Sequence, residues 1–220
     1  MPSRNGQGCC GQDFERVFDA REAERDLRSW REDGLPHSTA ELIDALRAAG
    51  VEGASLLDIG AGVGMVHLEL LAAGALSATD VDASSAYLAT AKEEAQRRGF
   101  GDRVAHRHGD VVDLAEDLPA ADVVTLDRVI CCYPDLGALL GAALLPGPRL
   151  IGFVHPVDVW WVRTGASVLN GLSWLLRRRD NFYIHRQRAI DGFLGERGFH
   201  QLHNGGSRVW RVAVYGRSPA

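Results

Sequence analysis

The chain has 220 residues, 46% of them apolar and 24% charged, with a formal net charge of -5. That length and apolar fraction suit one large packed domain, or one domain with an added cap. The acidic balance excludes the basic field that phosphate backbones require, so no nucleic-acid partner is expected.

Residues 1–12 are polar and glycine-rich, with no apolar core of the kind a secretory signal has, and are expected to be flexible. Residues 13–31 place Phe14, Val17, Phe18, Leu27 and Trp30 among many charges, which suits an amphipathic helix broken near Ala20. Gly34-Leu35-Pro36 is a break, after which Ser38 or Thr39 caps a helix to residue 49. Residues 54–59 read as a buried strand that runs into the turn Gly60-Ala61-Gly62-Val63-Gly64, and a helix follows over 66–73. A second strand spans 76–81, and Ser84 or Ser85 caps a helix through residue 98. Short strands follow at 103–106 and 121–126, the latter nearly all apolar, as a strand covered on both faces should be. A helix over 136–145 stops at Pro146-Gly147-Pro148, and a fifth strand, 150–154, ends at His155-Pro156. The alternation predicts an α/β, doubly wound, mostly parallel sheet of Rossmann-like type. Residues 157–179 interrupt it with Trp-rich helical sequence, and 186–197 is a further helix. Strands at 199–203 and 208–215, joined at Asn204-Gly205-Gly206, predict a C-terminal antiparallel hairpin. The apolar region 157–176 is broken by Asp158, Arg163, Asn170 and two glycines, so no membrane span is expected. The expected division is a cap at 1–35 and one domain at 36–220, with a helical insertion at about 157–180.

The glycine turn carries the chemistry. Glycines at alternate positions let the backbone come close to a ligand at the carboxyl end of a strand, where open α/β sheets bind nucleotides. Asp82, at the tip of the second strand, is a carboxylate that can accept from two ribose hydroxyls; Asp80 is its rival, two residues earlier. Asp110, after the third strand, can accept from an adenine amino group. A nicotinamide dinucleotide would use a similar turn, but the third small position of its fingerprint falls on Met65, too large for close helix–strand packing.

The series "LLDIGAGVG", "TDVDASSAYLATAKEEA", "HGDVVDL" and "ADVVTLDRVICCYPD" resembles the class I S-adenosylmethionine-dependent methyltransferases, in their small-molecule, type 11-like group. The resemblance covers about residues 42–153 and implies a seven-stranded sheet whose last strand is antiparallel. It implies that Asp58, Gly60, Ala61, Gly62 and Gly64 hold the methionine part of S-adenosyl-L-methionine. Asp82 and Ala83 would lie at the ribose and Asp110 and Val111 at the adenine. The segment 127–131, with Asp127, would floor the reactive methyl. S-adenosyl-L-homocysteine would be the product.

Methyl transfer from a sulfonium needs an in-line geometry, and a base if the acceptor is an alcohol or phenol. Asp127, Tyr133 and His155 stand at strand ends as candidate bases, with Tyr133 also a candidate wall. A carboxylate or thiolate acceptor needs no base. The acceptor is expected to be a small molecule, apolar or aromatic, methylated at oxygen. Two alternatives stay open: transfer to sulfur or a metalloid using Cys9-Cys10 and Cys131-Cys132, or a regulator that binds the cofactor without catalysis. Adjacent cysteine pairs are unlike a secreted disulfide framework, so a cytoplasmic location is expected, and no metal is assigned. Trp160, Trp161 and Trp174, followed by Arg177-Arg178-Arg179, suit either an acceptor lid or peripheral contact with a membrane surface. No oligomeric state follows from the sequence.

Overall fold

The structure, a computed structural model, describes residues 14–175 and 182–217, with backbone alone at 172–175. The expected flexible start, Cys9, Cys10 and the arginine run 177–179 lie outside those residues, and so does the side chain of Trp174.

In chain order the elements are α1 (Phe14–Val17), α2 (Ala20–Asp33), α3 (His37–Ala48), β1 (Ser55–Ile59), α4 (Met65–Ala72), β2 (Ser77–Asp82) and α5 (Ser85–Arg97). They continue with β3 (Val104–His108), α6 (Val111–Leu114), β4 (Val123–Asp127), α7 (Leu136–Leu144), β5 (Leu150–Pro156), α8 (Trp160–Leu175), α9 (Gln187–Gly195), β6 (Phe199–Gly206) and β7 (Trp210–Arg217). The seven strands form one sheet in the order β3-β2-β1-β4-β5-β7-β6. β7 runs antiparallel to β5 and β6, and the remaining pairs are parallel. Strand order reverses between β1 and β4, so a crevice opens above their carboxyl ends.

Two apolar layers sandwich the sheet. On one face α2 to α5 pack with Leu56, Ala78, Val123, Leu150 and Val154. On the other, α6, α7 and α9 pack with Leu57, Val81, Val124, Phe153 and Tyr215. Gly152 in β5 lets α3 come close, because a Cβ there would lie 2.9 Å from Leu42 Cδ1 and 3.1 Å from Leu46 Cδ2.

The sequence expectations for two local features are corrected. α3 begins at His37 behind Pro36, which makes no side-chain cap. Ser38 and Thr39 are buried in its first turn, and the Thr39 hydroxyl donates to Asp127 Oδ2 at 2.7 Å instead of capping. The hairpin reverses at residues 207–209, not at Asn204-Gly205-Gly206. Ser207 N donates to the Trp210 carbonyl at 2.6 Å, and Ser207 Oγ accepts from Val209 N and Trp210 N. Gly205 and Gly206 lie within β6 because Glu41 of α3 presses on that backbone. Glu41 Oε1 accepts from Gly206 N at 3.0 Å and pairs with His203 Nε2 at 2.9 Å, leaving no room for a side chain at 205.

The break between α1 and α2 falls at Phe18-Asp19, where the Asp19 carboxylate accepts from Arg21 N and Glu22 N. α2 then lies against α5. Its Trp30 is buried, and Arg98 stacks 4.0 Å over the indole ring. Glu94 of α5 is fully buried and takes Arg31 from α2 together with Arg97 and Arg98 from its own helix. Hydrogen bonds from Arg97, against the cost of burial, hold its carboxyl at about 2. A depressed acid stabilises the fold above its unfolded value of 4.5 and loses that contribution as pH falls toward 2. Glu94→Gln should cost roughly 2–3 kcal/mol in urea denaturation at neutral pH and remove this acid-side dependence.

Candidate active site

The crevice holds a cavity of about 430 Å³. β1 delivers its floor. After Ile59 the chain turns through Gly60, Gly62 and Gly64, all with left-handed φ (61°, 58° and 86°). A Cβ on Gly60 would sit 2.5 Å from Val129 Cγ2, so β4 and the turn fit together only with glycine there. Gly62 faces the Tyr87 ring, whose atoms would lie 3.6 Å from an added Cβ.

Asp58 lies under this turn with 1% exposure. Its Oδ1 accepts from the Thr125 hydroxyl at 2.6 Å, and its Oδ2 accepts from His67 N at 3.3 Å and pairs with His67 Nδ1 at 2.9 Å. The acid thus ties β1, β4 and α4 together beneath the cavity it also lines. Burial works against a charge on His67, but the bond to Asp58 and the field of Asp80 outweigh it and raise its pKa.

Asp82 closes the turn from β2. Its Oδ2 accepts from Gly62 N at 3.0 Å and its Oδ1 from Ser84 N at 2.8 Å. Burial lifts its carboxyl to about 7 against the pull of these two N–H donors. It lines the cavity with Ala83 and Ala61. Asp80, its rival by sequence, is fully buried, pairs with His106 Nδ1 at 2.9 Å and does not line the cavity.

Past β3, Gly109 and Val111 line the cavity on either side of Asp110. Asp110 Oδ1 accepts from Val112 N at 2.9 Å, capping α6, and from the Tyr133 hydroxyl at 2.8 Å. Asp110 Oδ2 is buried and has no hydrogen-bond partner among the described residues. Asp110 itself is not among the lining residues and stands behind the wall that Gly109 and Val111 make.

The N-terminal elements cover the crevice, so the expected cap is part of the site. Phe14, Phe18, Asp26, Ser29 and Trp30 all line the cavity. Phe18 meets Tyr87 edge-on at 5.9 Å, Phe14 approaches Tyr133 at 6.3 Å, and the Tyr87 hydroxyl donates to Asp26 at 2.6 Å. Glu15 accepts from Ser85 N and Oγ and pairs with His108 at 2.8 Å. None of these cap contacts was singled out from the sequence; the aromatic spacing at 14, 18 and 30 gave an amphipathic helix but not what it covers.

The three candidate bases separate. Asp127 lines the cavity, with Oδ2 bonded to Thr39 Oγ1 and Oδ1 3.2 Å from Arg128 Nε. Arg128 takes a left-handed φ of 61°, unusual for a side chain, and its Nη2 also donates to Thr39 at 3.0 Å. Tyr133 lines the cavity as a wall, its hydroxyl directed to Asp110. His155 corrects the sequence reading: it does not line the cavity and points from β5 toward the α9 face, 1% exposed, with its ring 5.7 Å from Phe153. Its Nδ1 lies 3.0 Å from the Pro156 carbonyl, and burial lowers its pKa to about 4. Of the cysteines, Cys132 lines the cavity, while Cys131 is buried with its thiol 3.2 Å from the Arg128 carbonyl. Among the described residues no cluster of His, Cys, Asp or Glu could hold a metal ion.

The site fits a nucleoside sulfonium. It offers a close-approach backbone turn, a carboxylate at the tip of β2 and an acidic lining for a positive sulfur.

Residues 56–143 match a family model described as "Methyltransferase domain". Ribosomal protein L11 methyltransferase of Methylococcus capsulatus is 30% identical over 121 residues, 54% of this chain and 39% of that protein. The chain therefore spans about two-fifths of the length of the curated relatives it matches. Magnesium protoporphyrin IX methyltransferase from Synechocystis, solved with bound S-adenosylhomocysteine, superposes with TM-score 0.71 at 20% identity, covering 93% of this chain and 98% of that one. An O-methyltransferase family protein from Burkholderia thailandensis gives 0.68 at 19% identity, covering 98% and 65%. The chain has the class I S-adenosylmethionine-dependent methyltransferase fold, and residues 56–143 are the part of it that matches the methyltransferase-domain model.

His155 makes the fold acid-sensitive. Unfolded chains take up its proton near 6.5 and the native state only near 4, so stability falls as pH drops across that window, by roughly 3 kcal/mol in all. In denaturation measured against pH, His155→Asn should flatten this stretch of the profile.

Proposed function

We propose that this methyltransferase domain transfers a methyl group from S-adenosyl-L-methionine to a carboxylate oxygen of a small, apolar or aromatic acid. Asp82 accepts from the ribose hydroxyls. Asp110 Oδ2 takes the adenine amino group beside Val111, and the glycine turn over Asp58 receives the methionine end. When bound, S-adenosyl-L-methionine supplies an electrophilic methyl on a positive sulfur. The protein's part is to hold the acceptor oxygen in line with that methyl and to exclude water.

One observation supports the choice of acceptor: the two candidate bases that line the cavity, Asp127 and Tyr133, are already hydrogen-bonded within the protein. Asp127 is engaged by Thr39 and Arg128, Tyr133 donates to Asp110, and His155 faces away from the cavity. An acceptor already ionised needs none. Arg128, at the cavity wall beside Asp127, offers such an acid a guanidinium. A second reading, transfer to sulfur or a metalloid, draws on Cys132 in the cavity wall.

The cofactor assignment is tested by calorimetry. Asp82→Ala should weaken S-adenosylmethionine binding by at least tenfold, on the order of a charge-assisted hydrogen bond. The ionised carboxylate is the better acceptor, so wild-type affinity should rise with pH through about 7, and the Asp82→Asn variant should lack that rise. Wild-type-like binding by Asp82→Ala would defeat the ribose assignment.

The acceptor is tested with methyl-labelled cofactor and a fractionated metabolite extract. Base-labile methyl esters are the expected products, with Cys131→Ser/Cys132→Ser retaining turnover. Loss of turnover with intact cofactor binding would favour sulfur or metalloid transfer. Tight cofactor binding with no product from any fraction would favour a regulator.

A further inference from the structure

The described part of α8 has a narrow inner stripe. Val162 and Ala166 are buried and Asn170 is half-buried, at i, i+4, i+8. Beside that stripe Trp161, Val168 and Leu169 are exposed, at 43%, 57% and 59%, and Trp160 at the helix start reaches 77%. Val159 and Val209 are exposed as well. Among the described residues, these six make up two-thirds of the nine exposed large apolar side chains, so the exposure is concentrated and not the ordinary scatter of a soluble surface.

These residues stand at one end of the sheet. Val157 N donates to the Val209 carbonyl at 2.9 Å, tying the entry to α8 to the β6–β7 turn. Further along, the Asn170 amide exchanges two hydrogen bonds with the Phe182 backbone, and Phe182 packs edge-on to Trp210 at 6.5 Å. The helix is thus moored to the hairpin tip at both ends.

Charge divides the same way. Residues 157–220 hold ten arginines against four acids, net +6, while residues 1–156 carry net -11. Exposed Arg186, Arg188 and Arg208 belong to the basic third, and so does Arg163, which pairs with Asp158 at 3.3 Å. Exposed tryptophan and aliphatic side chains beside arginine, on a chain acidic elsewhere, match the chemistry of an anionic bilayer surface: rings at the headgroup level, guanidinium groups on phosphates.

We propose that α8 and the β6–β7 turn dock this protein on anionic lipid bilayers. The helix lies in the interface plane and does not span it; among the described residues no helix is long and apolar enough to cross a membrane. The docked end adjoins the site. The segment after α8 returns to the cavity wall, where Tyr183 N donates to the Cys131 carbonyl at 2.8 Å and His185 Nε2 lies 2.7 Å from the Tyr133 carbonyl. Docking itself does not depend on the methyl-transfer reading.

The test is flotation of the full chain with vesicles of phosphatidylcholine alone or mixed with phosphatidylglycerol. Binding to the mixed vesicles, weakened by salt, is expected. Brominated lipids should quench tryptophan fluorescence of the bound wild-type protein, a readout that needs no variant. Trp160→Ser/Trp161→Ser and Val168→Ser/Leu169→Ser should abolish flotation with unchanged thermal unfolding, and Arg208→Glu should weaken it by roughly tenfold. Equal binding to both vesicle types would overturn the anionic assignment. No flotation would overturn the proposal, whether light scattering then shows a monomer or a dimer that Trp160→Ser/Trp161→Ser dissociates.

Discussion

The hydrogen bond from Gly62 N to the Asp82 carboxylate, 3.0 Å long, is the constraint the crevice is built around. It locks the left-handed glycine turn after β1 to the tip of β2, and the Ser84 N–H holds the other carboxylate oxygen of the half-buried Asp82. A carboxyl in that state sits near 7 and is improved by further donors. Asp58 supports the same turn from below, because its two oxygens bind β4 through Thr125 and α4 through His67.

Around this rigid floor the walls are made by pairing. Tyr87 stands over Gly62 and donates to Asp26; Tyr133 stands by Asp110 and donates to it. Each tyrosine lines the cavity while a carboxylate, half-buried at Asp26 and buried at Asp110, holds its hydroxyl. Asp127, Arg128 and Thr39 form a third unit, held together although Arg128 occupies a backbone region that costs about 1 kcal/mol. Acids tied down in this way orient what they touch.

The cap belongs to the same logic. Glu94 gathers three arginines and fixes α2 on α5, which sets Trp30, Ser29 and Asp26 at the cavity, while Glu15 secures α1 to Ser85 and His108. At the opposite edge, α8 is anchored by few internal contacts and leaves its apolar side uncovered. The two ends of the molecule thus differ: one closes over the cavity and the other leaves apolar side chains exposed.

The sequence by itself determined the parallel αβ rhythm, the antiparallel closing hairpin and the glycine turn with acids at the strand tips around it. Those depend on local signals: apolar runs of strand length, glycines at alternate positions, and carboxylates at strand tips. Asp82 was preferred over Asp80 from the pattern that follows it, and the tertiary fold separates them because His106 and the sheet interior claim Asp80. Only the tertiary structure decided the rest. Asn204-Gly205-Gly206 reads as a turn until Glu41, over 160 residues away in the chain, is seen to need bare backbone there. His155 reads as a rim base until α9 packs over its face of β5, and Thr39 reads as a cap until Asp127 meets it across the sheet. In each case the deciding partner comes from a distant part of the chain, and neither propensity nor spacing carries any trace of it.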